Sequence, residues 1–128
     1  MASGTPLGRV RGLGSAKEGT HHWLWQRFTA GSNMFLMAWL LIAIARQPSY
    51  DYAAMRLWVQ SAWVAVPLLL LVISVFYHFR LGLQVLIEDY THAESRIIGM
   101  LALNAFVFAT GGIAIFSILT IALTGAPK

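Results

Sequence analysis

The sequence of 128 residues contains no cysteine and few charged side chains. Without a thiol, the chain can form no disulfide and can supply no sulfur ligand to an iron–sulfur cluster. Charged residues make up 11% of the chain and hydrophobic residues 58%, whereas a soluble domain averages about 25% charge. This deficit of charge indicates a membrane protein.

In place of charge, the chain has three long apolar stretches, at about residues 23–45, 57–87 and 97–123. Each is long enough to cross a hydrocarbon core of about 30 Å at about 1.5 Å per residue. The second stretch would measure about 46 Å as one helix, so we expect it to tilt or to extend into the headgroups, with Pro67 as the candidate kink. The predicted fold is an all-α transmembrane three-helix bundle formed by residues 23–128.

The segments between the spans are short and polar. Residues 46–56 are predicted to form a loop at one membrane surface. Residues 88–96 are predicted to form a turn at the other, which makes the second and third spans antiparallel neighbours.

The segment before the first span, residues 1–22, is predicted to be a basic, irregular arm on a membrane surface. We expect no signal peptide, because no short apolar stretch with a cleavage site follows the charges. The arm, Arg27 and Arg96 place five basic residues on one side of the membrane, and Arg46, Arg56 and Lys128 place three on the other. This bias predicts the N-terminus inside and the C-terminus outside. The net charge of +4 is therefore interpreted as a signal for orientation in the membrane, and no nucleic-acid partner is expected.

The segment from Tyr77 to Tyr90 concentrates the groups that could carry chemistry. One face of a helix through it presents His78, Gly82, Val85 and Asp89. His78 is the only histidine within the predicted spans, and imidazole is a common axial ligand of haem. Gly82, one turn away, would leave room for a flat porphyrin. A single histidine supplies one axial ligand, so a second would have to come from another subunit.

The alternative for His78 is a hydrogen bond to a neighbouring helix, for example to Ser74 or to a hydroxyl of a partner. Spacing does not decide between the two interpretations. Arg80 lies two positions from His78 and should point away from its face. A charge at that depth needs a partner, which could be an acid, a lipid headgroup or a haem propionate.

Two further polar pairs lie toward the same predicted membrane surface. His21 and Arg27 could snorkel and cap the first span, or form a cationic clamp for haem propionates or a quinone headgroup. Asp89 and Tyr90 could be a solvated helix end, or a site where the phenol donates a hydrogen bond to a quinone carbonyl. The first span is polar on part of its surface near Arg27, so that surface should face protein, water or a charged ligand. The other polar residues there are Gln26, Thr29, Ser32 and Asn33.

Taken together, these positions resemble a known family. The pattern resembles the hydrophobic membrane anchor subunit of succinate dehydrogenase, the D-type anchor of respiratory complex II. In this pattern, His78 is followed by three residues and Gly82, and then by Asp89-Tyr90. The start of the first span is similar to that family's as well, in Gly19-Thr20-His21, Arg27 and Thr29-Ala30.

The resemblance implies a role for each matching residue. His78 would be an axial ligand of haem b, with the other ligand on a sister cytochrome b subunit. Tyr90 and Asp89 would belong to the ubiquinone site. Arg27 and His21 would lie near the haem propionates and the quinone pocket.

The resemblance also implies a function for the whole chain. It would be a subunit of succinate:ubiquinone oxidoreductase that is not catalytic alone and that works in the tricarboxylic acid cycle and aerobic electron transport. Its partners would be a cytochrome b subunit, an iron–sulfur subunit, a flavoprotein subunit and membrane lipid. The membrane would be the bacterial cytoplasmic membrane or the mitochondrial inner membrane. The alternatives are an anchor of a fumarate reductase or another cytochrome b, or a small assembly protein without a cofactor.

Overall fold

The computed structural model describes residue 6 and residues 19–124, and nearly all of these are helical. The helices are α1 (Gly19–Ala45), α2 (Tyr52–Gln60), α3 (Ala62–Tyr90) and α4 (Ala93–Leu123). Helices α1, α3 and α4 are long and apolar enough to cross a membrane. The prediction of an all-α chain with three spans is therefore confirmed. The basic arm predicted for residues 1–22 falls mostly outside the described residues, and α1 has already begun at Gly19.

The boundary between the predicted loop and the second span lies at a different position from the predicted one. Helix α2 occupies much of the expected loop, and the second span begins at Ala62 rather than near Leu57. The break lies at Ser61, whose backbone is extended (φ −68°, ψ 126°) and whose N–H donates to the Trp58 carbonyl. The Ser61 carbonyl in turn accepts from the first turn of α3. Splitting the 46 Å stretch in this way leaves a 29-residue span and a separate short helix, and α3 continues through Pro67.

Helix α2 is held at both of its ends. Its N-cap is Asp51, whose side chain accepts a 2.8 Å hydrogen bond from the Ala54 N–H. This bond and the one donated by the Ser49 hydroxyl lower the pKa of Asp51 below its ordinary value. At the other end, the Gln60 amide donates to the Thr124 carbonyl at 3.0 Å. Helix α2 therefore lies beside the C-terminal end of α4.

The two-residue connection Thr91–His92 makes α3 and α4 antiparallel neighbours, and it is shorter than the predicted turn. Thr91 ends α3 with a hydrogen bond from its N–H to the Ile87 carbonyl. Ala93 begins α4 with φ 49°, a left-handed conformation that non-glycine residues rarely adopt. Close packing follows at once, because a Cβ at Gly99 would lie 3.2 Å from an Ile87 methyl.

Helix α3 stands between the other two spans. It packs against α1 on one side and α4 on the other, while α1 and α4 approach no closer than 8 Å between Cα atoms in the described residues. The core is small and centred on α3 and α4, with Val64, Ala65, Leu71, Leu81, Leu103 and Val107 buried. Large apolar side chains such as Trp63 and Phe108 are exposed, as expected for surfaces that face lipid or other subunits.

Candidate functional site

Two facing rows of polar or small residues join α1 to α3, in the half of the molecule that contains the α3–α4 turn. Helix α3 contributes residues four apart on one face, and α1 contributes residues three apart. Because the two helices are antiparallel, the residues meet in the order Ser32 with Ser74, Thr29 with His78, and Gln26 with Gly82. The polar side of α1 therefore faces protein, which is one of the options predicted from the sequence.

The deepest pair consists of two serines. The hydroxyls of Ser32 and Ser74 are hydrogen-bonded to each other. Ser32 also lies 3.1 Å from the Thr29 carbonyl, and Ser74 lies 3.5 Å from the same oxygen. Ser74, which the sequence suggested as a partner of His78, is therefore engaged with α1 instead.

His78 is half-buried, and its two ring nitrogens have different surroundings. Nδ1 lies 2.9 Å from the hydroxyl of Thr29. Nε2 has no hydrogen-bond partner within residues 19–124 and is not among the buried polar atoms that lack one. Hydrogen bonding to a neighbouring helix, the alternative raised for this histidine, accounts for one nitrogen and leaves the other available.

A groove of about 620 Å³ lies between the start of α1 and the end of α3. Two polar atoms, His22 Nε2 and Gln26 Oε1, are buried among its lining residues without a partner in the described part of the chain. Buried polar atoms are normally hydrogen-bonded, so this pair indicates that a group outside the described residues completes the groove. The lining consists of Gly19, His22, Trp23, Gln26, Gly82, Gln84, Val85 and Glu88.

Gly82 lies in the wall of this groove. A Cβ built there would meet only the Gln26 amide, at 3.7 Å, which is an ordinary contact. The packing of α1 on α3 would therefore accept a larger residue. A side chain would instead take volume from the groove, so Gly82 is better explained by the groove than by the helix pair.

The other predicted site residues lie around this centre without touching His78. His21 and Arg27 are exposed at the start of α1, and the Arg27 guanidinium lies over the Trp23 ring, 5.1 Å from its centroid. Asp89 and Tyr90 are the exposed last residues of α3, with 80% of Tyr90 accessible. His78 and Tyr90 are about 18 Å apart along the helix, so the chain places them at two levels of one helix. Among residues 19–124, no three His, Asp or Glu side chains form a cluster able to hold a metal ion.

Arg80 lies on the opposite side of α3 from His78, as its spacing predicts. Its Nε donates a 2.7 Å hydrogen bond to Asn104 Oδ1 on α4. The observed partner is therefore a neutral amide of the same chain, which the sequence analysis did not name; an acid, headgroup or propionate as a further partner stays a prediction. Arg80 also borders an apolar groove of about 450 Å³ between α3 and α4.

Sequence reasoning missed the pairing of Thr29 with His78 and of Asn104 with Arg80. The first could have been found by aligning the two polar rows in antiparallel order, because each row repeats at about one helical turn. The second has no such signal, since Asn104 is the only amide side chain of α4 and no row of polar residues accompanies it.

The chain was also compared with known proteins. The model of the family described as "Succinate dehydrogenase/Fumarate reductase transmembrane subunit" matches residues 1–123. No solved structure matches the chain.

Similar curated proteins carry one description, "Succinate dehydrogenase hydrophobic membrane anchor subunit". The protein from Rickettsia bellii (strain RML369-C) is 35% identical over 113 residues, which cover 88% of this chain and 83% of that protein. The protein from Rickettsia conorii (strain ATCC VR-613 / Malish 7) is 36% identical over 83 residues, covering 64% of this chain and 66% of that protein. The match to the protein from Rickettsia prowazekii (strain Madrid E) is 32% identical and covers 62% of this chain and 63% of that protein.

Proposed function

This chain belongs to the family of succinate dehydrogenase and fumarate reductase transmembrane subunits, as a hydrophobic membrane anchor, and we propose that it shares haem b and a ubiquinone site with a sister cytochrome b subunit. The two anchors would hold an iron–sulfur subunit and a flavoprotein subunit at the membrane. Succinate would be oxidised in the flavoprotein, as a step of the tricarboxylic acid cycle. Its electrons would pass through iron–sulfur centres to ubiquinone, so this chain is not catalytic alone.

The observation that carries the haem proposal is that His78 Nε2 has no hydrogen-bond partner among residues 19–124. A porphyrin supplies four of the six iron ligands, so one imidazole from each of two chains would complete the set. The groove wall at Gly82 leaves space beside this helix, and His22 and Gln26 present buried atoms that lack partners in residues 19–124. Arg27 and His21, near the same end, would supply positive charge to the propionates. When bound, the haem would contribute one-electron redox chemistry.

The quinone site is proposed at the end of α3. Tyr90 is exposed there, and its hydroxyl has no partner among the described residues, so it is free to donate a hydrogen bond to a quinone carbonyl. Asp89 lies beside it as an exposed carboxyl group. The position at a helix end suits a ligand with a polar headgroup and an apolar tail. Quinone reduction requires protons, and this end is open to them.

We also propose a location and an orientation. The relatives come from Rickettsia, which supports the bacterial cytoplasmic membrane, and the mitochondrial inner membrane is the alternative. The excess of basic residues on the side of the α3–α4 turn favours that side as the inside, with the C-terminus outside. In this orientation Tyr90 would face the compartment where the peripheral subunits dock.

Replacement of His78 tests the proposal. In the complex purified from membranes, His78→Ala should remove or alter the absorption of the reduced haem, because an axial ligand is lost. His92→Ala is the matched control, since it removes an exposed imidazole from the α3–α4 turn. An unchanged spectrum in His78→Ala would show that this residue does not bind the iron.

A cofactor-free assembly protein is the second candidate, and the hydrogen bond between His78 and Thr29 favours it. In that case His78 serves only to join α1 and α3. His78→Ala would then lower the stability of the complex and leave the haem absorption per complex unchanged. The family description also covers anchors of fumarate reductase. The direction of electron transfer with the native quinone would distinguish that function from succinate oxidation.

A further inference from the structure

The hydroxyl of Thr29 has three neighbours within hydrogen-bond distance. Oγ1 lies 2.7 Å from the Trp25 carbonyl, 3.2 Å from the Gln26 carbonyl and 2.9 Å from His78 Nδ1. Only 4% of Thr29 is accessible, and it is the one buried polar residue among those described. Its hydrogen-bond arrangement is therefore set by these neighbours and not by solvent.

Counting hydrogens decides which group donates. A hydroxyl has one hydrogen and two lone pairs, whereas a carbonyl oxygen can only accept. The Trp25 carbonyl is the nearest neighbour and lies four residues back, where a helical threonine commonly donates. If the hydroxyl donated to His78 instead, two oxygens 2.7 Å apart would face each other without a hydrogen between them. The hydroxyl therefore accepts from His78, and Nδ1 carries the proton.

We propose that Thr29 is the positioning residue for His78: it holds the ring as the Nδ1–H tautomer, so that Nε2 presents its lone pair to the haem iron. This inference rests on the proposed function. Nε2 can coordinate a metal only when its lone pair is free, and that is the tautomer Thr29 selects. Thr29 touches no substrate or cofactor and acts through the imidazole.

The hydrogen bond should also affect the electron density of the ligand. A ligating histidine that donates its second N–H to an acceptor becomes more basic, and loss of such a partner typically weakens metal binding by about 10- to 100-fold. A more basic ligand stabilises oxidised iron more than reduced iron. Removing the Thr29 hydroxyl should therefore raise the reduction potential of the haem.

The test uses the complete complex from membranes, with Thr29→Val and Thr29→Ser. Valine keeps the shape and branching of threonine but cannot accept a hydrogen bond, and serine restores the hydroxyl. We expect Thr29→Val to lower haem occupancy or to raise the midpoint potential of the haem. A tenfold change in relative affinity for oxidised and reduced haem corresponds to a rise of about 59 mV for one electron. Thr29→Ser should resemble the unmodified complex in both measurements.

Ser32→Ala is the control for helix packing, because it breaks the neighbouring contact between α1 and α3 without touching His78. It should leave occupancy and potential unchanged. Unchanged haem properties in Thr29→Val, or equal effects of valine and serine, would overturn the proposal. If Thr29→Val and the smaller Thr29→Ala both failed to assemble, Thr29 would be a packing residue and the proposal would also fall.

His78→Ala separates this inference from the function on which it rests. If His78→Ala loses the haem signal and Thr29→Val changes nothing, only the role of Thr29 is refuted. If His78→Ala keeps the signal, the ligation itself is refuted, and with it the positioning role.

Discussion

His78 uses its two ring nitrogens for different purposes. Nδ1 joins α3 to α1 through Thr29, and Nε2 has no hydrogen-bond partner in the described part of the chain. A structural role and a ligand role are therefore compatible in one residue. The interhelical hydrogen bond would fix the ring that, in the proposed function, holds the iron.

Tyr90 is the residue whose replacement best isolates the quinone site. Tyr90→Phe removes one hydroxyl, and a neutral hydrogen bond contributes about 0.5–1.5 kcal/mol, so we expect about a 2- to 10-fold rise in the KM for quinone. Succinate oxidation with an artificial acceptor should be unaffected, since that reaction does not use the membrane site. Steady-state assays with both acceptors measure the two effects.

Tyr52→Phe is the control for that experiment, because it removes an exposed phenol at the opposite end of the molecule. An equal loss with both acceptors in Tyr90→Phe would indicate a role in folding or assembly.

The sequence predicted the helix face of the key residues, but not their hydrogen-bond partners. The side of α3 on which His78 and Arg80 lie follows from helical spacing and was predictable. The partners Thr29 and Asn104 were not assigned, because partner choice depends on the register between helices. That register is set by the whole packed interface.

At the scale of helices, the contact between α3 and α4 contains one charged hydrogen bond, from Arg80 to Asn104. Asn104→Leu would leave the Arg80 cation without its amide in an apolar setting. Loss of a hydrogen bond to a charged group costs about 1.5–3 kcal/mol. We expect Asn104→Leu to shorten the thermal half-life of the detergent-solubilised complex.

The double variant Arg80→Leu/Asn104→Leu should recover much of that stability, because it replaces both polar groups by apolar ones. Asn33→Leu on α1 is the comparison, since the Asn33 Oδ1 has no partner in the described residues. If the double variant were no more stable than Asn104→Leu, the hydrogen bond would not be the cause.

Helix boundaries were the least predictable feature at this scale. The three spans follow from apolar length, but the break at Ser61 does not, because the residues around it are as helix-compatible as their neighbours. At the break, the Ser61 N–H closes α2 on the Trp58 carbonyl, and the Ser61 carbonyl accepts from the first turn of α3. At about 46 Å, the uninterrupted stretch was longer than the hydrocarbon core, but its length did not indicate where the helix would break.

At the scale of the molecule, α1 and α4 do not meet, and α3 carries both interfaces. His78 Nε2, His22 Nε2 and Gln26 Oε1, which have no partner among residues 19–124, belong to the α1–α3 pair. A chain that leaves these polar atoms open and exposes large apolar side chains on the same spans is suited to work beside a second membrane subunit. Three spans were predictable from the sequence, whereas this open arrangement was not, because it depends on which faces the chain keeps for a partner.

A density map of the assembled complex from membranes, detailed enough to orient side chains around the haem, tests the central claim most directly. We predict the haem iron within coordination distance of His78 Nε2, with a histidine of the sister subunit on its other face and with Nδ1 still hydrogen-bonded to Thr29. Iron held by other residues, or His78 Nε2 directed toward lipid, would contradict the account.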